Sequence, residues 1–70
     1  MAVKVREVIA ELEEDGWVEV LPRRPGGHRQ FKHPTKLGRV TVSGPYGDDL
    51  APGTLASVRR QSGLPRLGRP

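Results

Sequence analysis

The hydrophobic period of the chain changes at Gly16, and this change constrains the fold more than any other feature. Before it, residues 4–15 carry apolar side chains at the i, i+3, i+4 and i+7 positions of one helical face, namely Val5, Val8, Ile9 and Leu12. Gly16 suits the left-handed residue that ends many helices, and Trp17 can fold back onto the last turn. After Gly16 the apolar residues alternate with polar ones, which is typical of strands.

Three short segments with this alternation follow one another, separated by turn residues. They predict strands over residues 17–21, 28–33 and 39–43. The segment 23–27 contains a Pro-Gly turn signal, and residues 35–38 form a second short turn. Because short turns join antiparallel neighbours, the three strands are expected to form an antiparallel meander.

A second helix is predicted over residues 52–62, since Pro52 suits a first helical turn and Leu55 and Val58 form an apolar stripe. The order is helix, three strands, helix. Each element has one apolar side, so both helices are expected to cover the same face of the sheet. The predicted fold is therefore an α+β two-layer domain.

The length of 70 residues allows one domain, which we assign to residues 1–64, with residues 65–70 expected to be a disordered tail. The chain has no cysteine, so disulfides and thiolate metal sites are excluded and a reducing, cytoplasmic location is expected. No apolar run approaches the about 18 residues of a membrane span, and no signal-peptide core follows Met1. We expect no metal or other cofactor.

Charge is segregated along the chain, whose net charge is +4. Residues 1–20 contain two basic and six acidic side chains, whereas residues 21–43 contain six basic ones and no acidic one. Such a one-sided stretch focuses positive potential and attracts polyanions. The plainer alternative is that these side chains only keep a small basic protein soluble.

Strand alternation separates the side chains of the second and third strands onto two faces. Phe31 should face the helices, which puts Arg29 and His33 on the buried side or its margin. Val40 and Val42 should also point inward. The other face, which the helices leave open, is then expected to carry His28, Gln30, Lys32, Arg39, Thr41 and Ser43, with Arg23 and Arg24 on the adjoining turn.

Cleavage of RNA needs few catalytic groups, because the 2′-hydroxyl of the substrate is itself the nucleophile. Cleavage needs a base near that hydroxyl, charge stabilisation at the phosphate and a proton for the leaving oxygen. His28 can act as the base or the acid, and neighbouring cations can hold the phosphate. His33 is the only other histidine that could donate a proton, but its side of the strand favours a structural role.

Other functions fit the same residues. The basic stretch fits an RNA-binding module without chemistry, and the acidic first helix fits an interaction domain that docks a basic partner. Gly26 and Gly27 suit an ordinary hairpin turn, although their N–H groups could also line an anion site.

The stretches "GGHRQFKHP", "GRVTV" and "GDDLAPGTLASVRRQSGL" resemble the HicA family of toxins from bacterial toxin–antitoxin systems, over roughly residues 3–64. The resemblance implies a double-stranded-RNA-binding-like fold and an mRNA interferase whose essential histidine is His28. It also implies a HicB-type antitoxin that covers this surface. Many members have serine before the histidine, whereas this chain has Gly27.

The residues and the resemblance together predict the toxin of a type II toxin–antitoxin system. It would be a metal-independent endoribonuclease that cleaves mRNA with His28 as general acid or base, and its antitoxin would mask His28. The alternative is a non-catalytic RNA-binding module of the same fold. The residues expected to contact RNA are Arg23, Arg24, Gly27, Arg29, Lys32, Lys36 and Arg39.

Overall fold

The protein is represented by a computed structural model that describes residues 2–21 and 28–69. The elements are α1 (Val5–Glu14), β1 (Val18–Glu19), β2 (His28–Lys32), β3 (Val40–Ser43) and α2 (Pro52–Ser62). The predicted α+β order of helix, three strands and helix is confirmed. β1 is shorter than the predicted strand over residues 17–21. The predicted turn at residues 23–27 lies outside the described residues.

The three strands form an antiparallel sheet in the order β1-β2-β3, as the meander prediction required. β1 pairs with β2 so that Val18 lies opposite Lys32. β2 pairs with β3 so that His28 lies opposite Ser43 and Phe31 opposite Val40. Since paired residues point to the same face, this register decides which side chains meet on each side of the sheet.

The core lies between the two helices and one face of the sheet. Both aromatic side chains of the core are almost completely covered: Trp17 is 2% exposed and Phe31 is 0% exposed. The other buried apolar residues come from α1, β3, α2 and the C-terminal turn; they are Val5, Val8, Ile9, Leu12, Val40, Val42, Leu55, Val58 and Leu67. The four apolar residues that predicted α1 are therefore all in the core.

The end of α1 is shaped by Gly16, whose φ of +101° lies in the left-handed region. A Cβ at this position would also come within 2.9 Å of the His33 ring. Glycine is therefore required both by the backbone conformation and by the close approach of a side chain. The Trp17 N–H then donates to the Leu12 carbonyl at 3.0 Å, which returns the chain over the last turn and buries the indole.

The beginning of α1 is held by the loop that follows β3. The N–H groups of Val5 and Arg6 donate to the carbonyls of Asp48 and Tyr46, at 2.9 and 3.1 Å. These groups would otherwise lack partners, because the first turn of a helix has no intrahelical acceptors. The Lys4 ammonium adds an ion pair with Asp49 at 2.9 Å. The loop after β3 is therefore tied to α1 by several bonds.

The C-terminal segment differs from the expected disordered tail. The Leu67 side chain is 2% exposed and joins the core, and the Leu67 carbonyl accepts from Arg59 Nε at 2.8 Å. The Gly68 N–H donates to Glu11 Oε2 at 2.8 Å. Residues 65–69 thus form a turn that packs back onto both helices, because a leucine three residues beyond Leu64 reaches apolar surface that the helices leave uncovered.

Neither helix found in residues 2–21 and 28–69 is long and apolar enough to cross a membrane.

Replacement of Leu67 by alanine should destabilise the protein measurably. Leu67→Ala removes a buried side chain from the core, so we expect a loss of about 2 kcal/mol in the free energy of unfolding, at the lower end of buried Leu→Ala changes. Leu37→Ala is the matched control, because the Leu37 side chain is 95% exposed. Urea unfolding followed by circular dichroism measures both, and equal stability of the two variants would contradict packing of Leu67 in the core.

Candidate active site

The open face of the sheet is the side that neither helix covers. Its described side chains follow from the register and from strand alternation; they are Val18, Val20, His28, Gln30, Lys32, Arg39, Thr41 and Ser43. None of them is acidic. The opposite face of β2 carries Arg29 and Phe31, which are 7% and 0% exposed. The predicted alternation of β2 is confirmed.

His28 lies at the first described residue of β2 and is exposed on the open face. Its Nδ1 lies 2.8 Å from the Ser43 hydroxyl oxygen, across the β2–β3 pair. Its Nε2 makes no hydrogen bond with the described part of the chain. One ring nitrogen is therefore held by the protein and the other is available to a ligand.

Lys32 and Arg39 supply positive charge at the far end of the same face. Lys32 is four residues from His28 along β2, which corresponds to ~13 Å between the two backbones. Within residues 2–21 and 28–69, no ion pair or hydrogen bond engages its ammonium. Arg39 is exposed and donates to Gln30 Oε1 at 3.3 Å. Both cations are placed to meet a polyanion that extends away from His28.

Arg29 does not join this face, although it was expected to contact RNA. Its side chain points to the helix side of the sheet, where Nη1 donates to the Gly44 carbonyl at 2.6 Å. Its guanidinium carbon lies 4.3 Å from the centre of the Tyr46 ring, a cation–π contact. A guanidinium that is buried and engaged in this way fixes the end of the sheet and is withdrawn from RNA.

Lys36 is also engaged within the protein rather than presented to RNA. Its ammonium donates to Asp15 Oδ2 at 2.6 Å and to the Ser62 carbonyl at 3.1 Å, so it joins the ends of α1 and α2. The hydrogen bond from Lys36 is the main cause that lowers the pKa of the Asp15 carboxyl, and burial opposes it. The expected RNA contact of Lys36 is therefore not supported by its position.

His33 has a structural position, as its side of the strand indicated. Its Nδ1 accepts from the backbone N–H groups of Thr35 and Lys36, each at 3.1 Å. Its Nε2 must then carry the ring proton, which it donates to the Asp15 carbonyl at 2.6 Å. The ring also contacts Trp17 edge to face, with centroids 5.2 Å apart. With both nitrogens occupied, His33 is not available as a proton donor to a ligand on the open face.

The remaining predicted residues, Arg23, Arg24 and Gly27, lie outside the described residues. Strand alternation places His28 and Ser43 on the same face but does not show that they are in contact. The alternation of side chains along a strand shows which face each one occupies, whereas contact between side chains on two strands depends on the register of the pairing. In the described ranges, 2–21 and 28–69, no three His, Asp or Glu side chains form a group that could hold a metal ion.

Comparison with protein families gives one match across most of the chain. The family model of the HicA toxin of bacterial toxin–antitoxin systems matches residues 5–64, a range that contains both helices and all three strands. No curated protein matches the chain.

Proposed function

Because the chain belongs to the HicA family of toxins from bacterial toxin–antitoxin systems, we propose that it is a metal-independent endoribonuclease that cleaves mRNA with His28. The observation that carries this proposal is the position of His28. The imidazole is exposed on an open sheet face, and among the described residues it has no acidic neighbour on that face and no partner for Nε2. An imidazole in that setting can exchange a proton with bound RNA.

The reaction uses the 2′-hydroxyl of the substrate as nucleophile. Nε2 of neutral His28 accepts the hydroxyl proton as the 2′-oxygen attacks the adjacent phosphorus. The new P–O2′ bond forms and the P–O5′ bond breaks; the departing 5′-oxygen takes one proton from water, and protonated His28 returns its proton to the solvent. The products are a 2′,3′-cyclic phosphate and a 5′-hydroxyl, so atoms and charge balance without a redox partner.

Positive charge on the open face has two tasks in this scheme. It binds the phosphate backbone, and it offsets the negative charge that grows on the phosphoryl oxygens during attack. Lys32 and Arg39 lie away from His28 along the sheet, so their main task is to bind the backbone beside the cleavage site. Arg23, Arg24 and Gly27 precede His28 in the sequence and are proposed to contact the phosphate that is attacked.

The test of catalysis is RNA cleavage in EDTA by the wild type and by His28→Ala. Loss of the proton acceptor should lower kcat by at least about 10²-fold while RNA binding and the circular dichroism spectrum persist. An oligonucleotide with 2′-deoxyribose at the cleavage site is the matched control, because it binds but lacks the nucleophile. Cleavage by His28→Ala at the wild-type rate would contradict the role of His28.

Two other outcomes separate the parts of the proposal. Wild-type activity that EDTA abolishes and Mg²⁺ restores would refute metal independence. Binding without cleavage by both proteins would support the alternative function, a non-catalytic RNA-binding module. The cations of the open face could bind RNA in that case too.

Lys32 and Lys36 should respond differently to replacement, since the Lys36 ammonium is bonded within the protein and the Lys32 ammonium has no partner in the described part of the chain. We expect Lys32→Ala to raise KM for RNA, and to reduce the slope of log affinity against log salt by about 1, because one phosphate contact is lost. Lys36→Ala should leave that slope unchanged and lower the melting temperature, because it breaks the bonds to Asp15 and Ser62. Salt titrations of RNA binding together with thermal melts would show whether the two variants instead behave alike.

A HicB-type antitoxin is proposed to cover the open face and mask His28. The described part of this face is cationic and free of acidic side chains, so it complements an acidic surface on the partner. Diethyl pyrocarbonate, which acylates accessible imidazoles, should modify His28 in the free toxin and react much more slowly in the complex. His33, which is internally bonded, is the reference residue in both samples. Equal modification of His28 with and without antitoxin would contradict masking.

A further inference from the structure

We propose that Ser43 is a positioning residue for His28. Its hydroxyl oxygen accepts a hydrogen bond from Nδ1–H, which fixes the tautomer of the imidazole and directs Nε2 to the substrate. The contact that carries this inference is the 2.8 Å separation of His28 Nδ1 and Ser43 Oγ. This inference rests on the proposed function, because the expected tautomer follows from the role of Nε2 as base or acid; the tautomer can nevertheless be measured without an assay of catalysis.

The proposed role of Nε2 determines the direction of this hydrogen bond. When Nε2 acts as a base, its lone pair must be free, so the single ring proton lies on Nδ1. When Nε2 acts as an acid, both nitrogens carry protons. In both forms Nδ1–H is a donor, and a hydroxyl oxygen is a suitable acceptor. A reversed bond, with the hydroxyl donating to Nδ1, would place the ring proton on Nε2 and leave neutral His28 without a basic nitrogen toward RNA.

The sheet register holds the two side chains together. The Thr41 N–H donates to Gln61 Oε1 at 3.1 Å, so it points away from β2 and Gln30–Thr41 is a non-hydrogen-bonded pair. Such pairs alternate along the ladder, so His28–Ser43 is of the same type. Cα atoms in these pairs are only about 4.5 Å apart and the side chains are closer than in hydrogen-bonded pairs. The contact is therefore built into the strand pairing.

Arg29 secures the same end of the sheet from the opposite face. It follows His28 in the chain, and its Nη1 donates to the carbonyl of Gly44, which follows Ser43. Gly44 has a φ of +103°, a left-handed conformation that glycine adopts without strain and that turns the chain toward the loop. The ring of Tyr46 stacks on the guanidinium at 4.3 Å. These contacts restrain the backbone of both members of the His28–Ser43 pair.

The first test is the tautomer of His28 in the free protein, read by long-range ¹H–¹⁵N NMR at a pH where the ring is neutral. We expect the Nδ1–H form to predominate in the wild type and Ser43→Ala to shift the population toward Nε2–H. Ser43→Thr keeps a hydroxyl on a strand-favouring residue and should preserve the wild-type tautomer. Ser57→Ala, which removes a hydroxyl from α2, is the matched control and should leave the proportions of the Nδ1–H and Nε2–H forms of His28 unchanged.

The second test is steady-state cleavage by the same variants. Ser43→Ala should lower kcat about tenfold, the loss expected for one hydrogen bond, and leave KM unchanged. Ser43→Thr should recover most of the activity. A residue with a purely structural role would instead lower thermal stability and leave the His28 tautomer as it was.

The outcomes distinguish this inference from the proposed function. Predominance of Nε2–H in the wild type would overturn the role of Ser43, and this reading does not depend on whether any mutant folds. An unchanged tautomer and kcat in Ser43→Ala would also overturn it. Full activity of His28→Ala would refute catalysis by His28, yet the tautomer would still establish or exclude the hydrogen bond from Nδ1 to Ser43.

Discussion

The burial of Phe31 is the constraint on which the open face depends. Phe31 is fully covered in the core. Because side chains along β2 point alternately to the two faces, the inward position of Phe31 places His28 and Lys32 on the open face. A slip of one residue in the pairing would turn Phe31 to water and His28 to the core. The hydrophobic energy that excludes this slip, about 2–3 kcal/mol for one large side chain, therefore also determines where the imidazole points.

The four basic residues between positions 28 and 39 divide into two groups with different physical roles. Arg29 and Lys36 donate hydrogen bonds to carbonyls and to a carboxylate on other elements, and these bonds join the elements. The charges of both side chains are therefore engaged inside the fold. Lys32 and Arg39 remain on the open face without an acidic partner among the described residues. A count of charges in the sequence overstates the field available to RNA, because Asp15 neutralises Lys36 and the Arg29 guanidinium is engaged on the inner face of the sheet.

This division also marks the limit of prediction from the sequence. The two helices, the meander and the outward position of His28 follow from local periodicity, which needs only neighbouring residues. The role of Lys36 depends on Asp15, which lies 21 residues away, and burial of Leu67 depends on space left between two helices. Arg29 could be assigned to the inner face by parity, but only the loop after β3 shows that its guanidinium has a partner there.

A site on an open three-stranded sheet has to obtain precision from the backbone, because the described residues do not enclose it. Side chains on a free face are held only by their strand and by cross-strand neighbours, so an exposed imidazole would sample several rotamers and both tautomers. The hydroxyl of Ser43 reduces that freedom at the position where the two strands are themselves restrained by Arg29. Gly27, the residue before His28 in the sequence, has no hydroxyl to offer. A neighbouring strand is then the natural source of an acceptor for Nδ1, and this arrangement leaves the approach to Nε2 open for RNA.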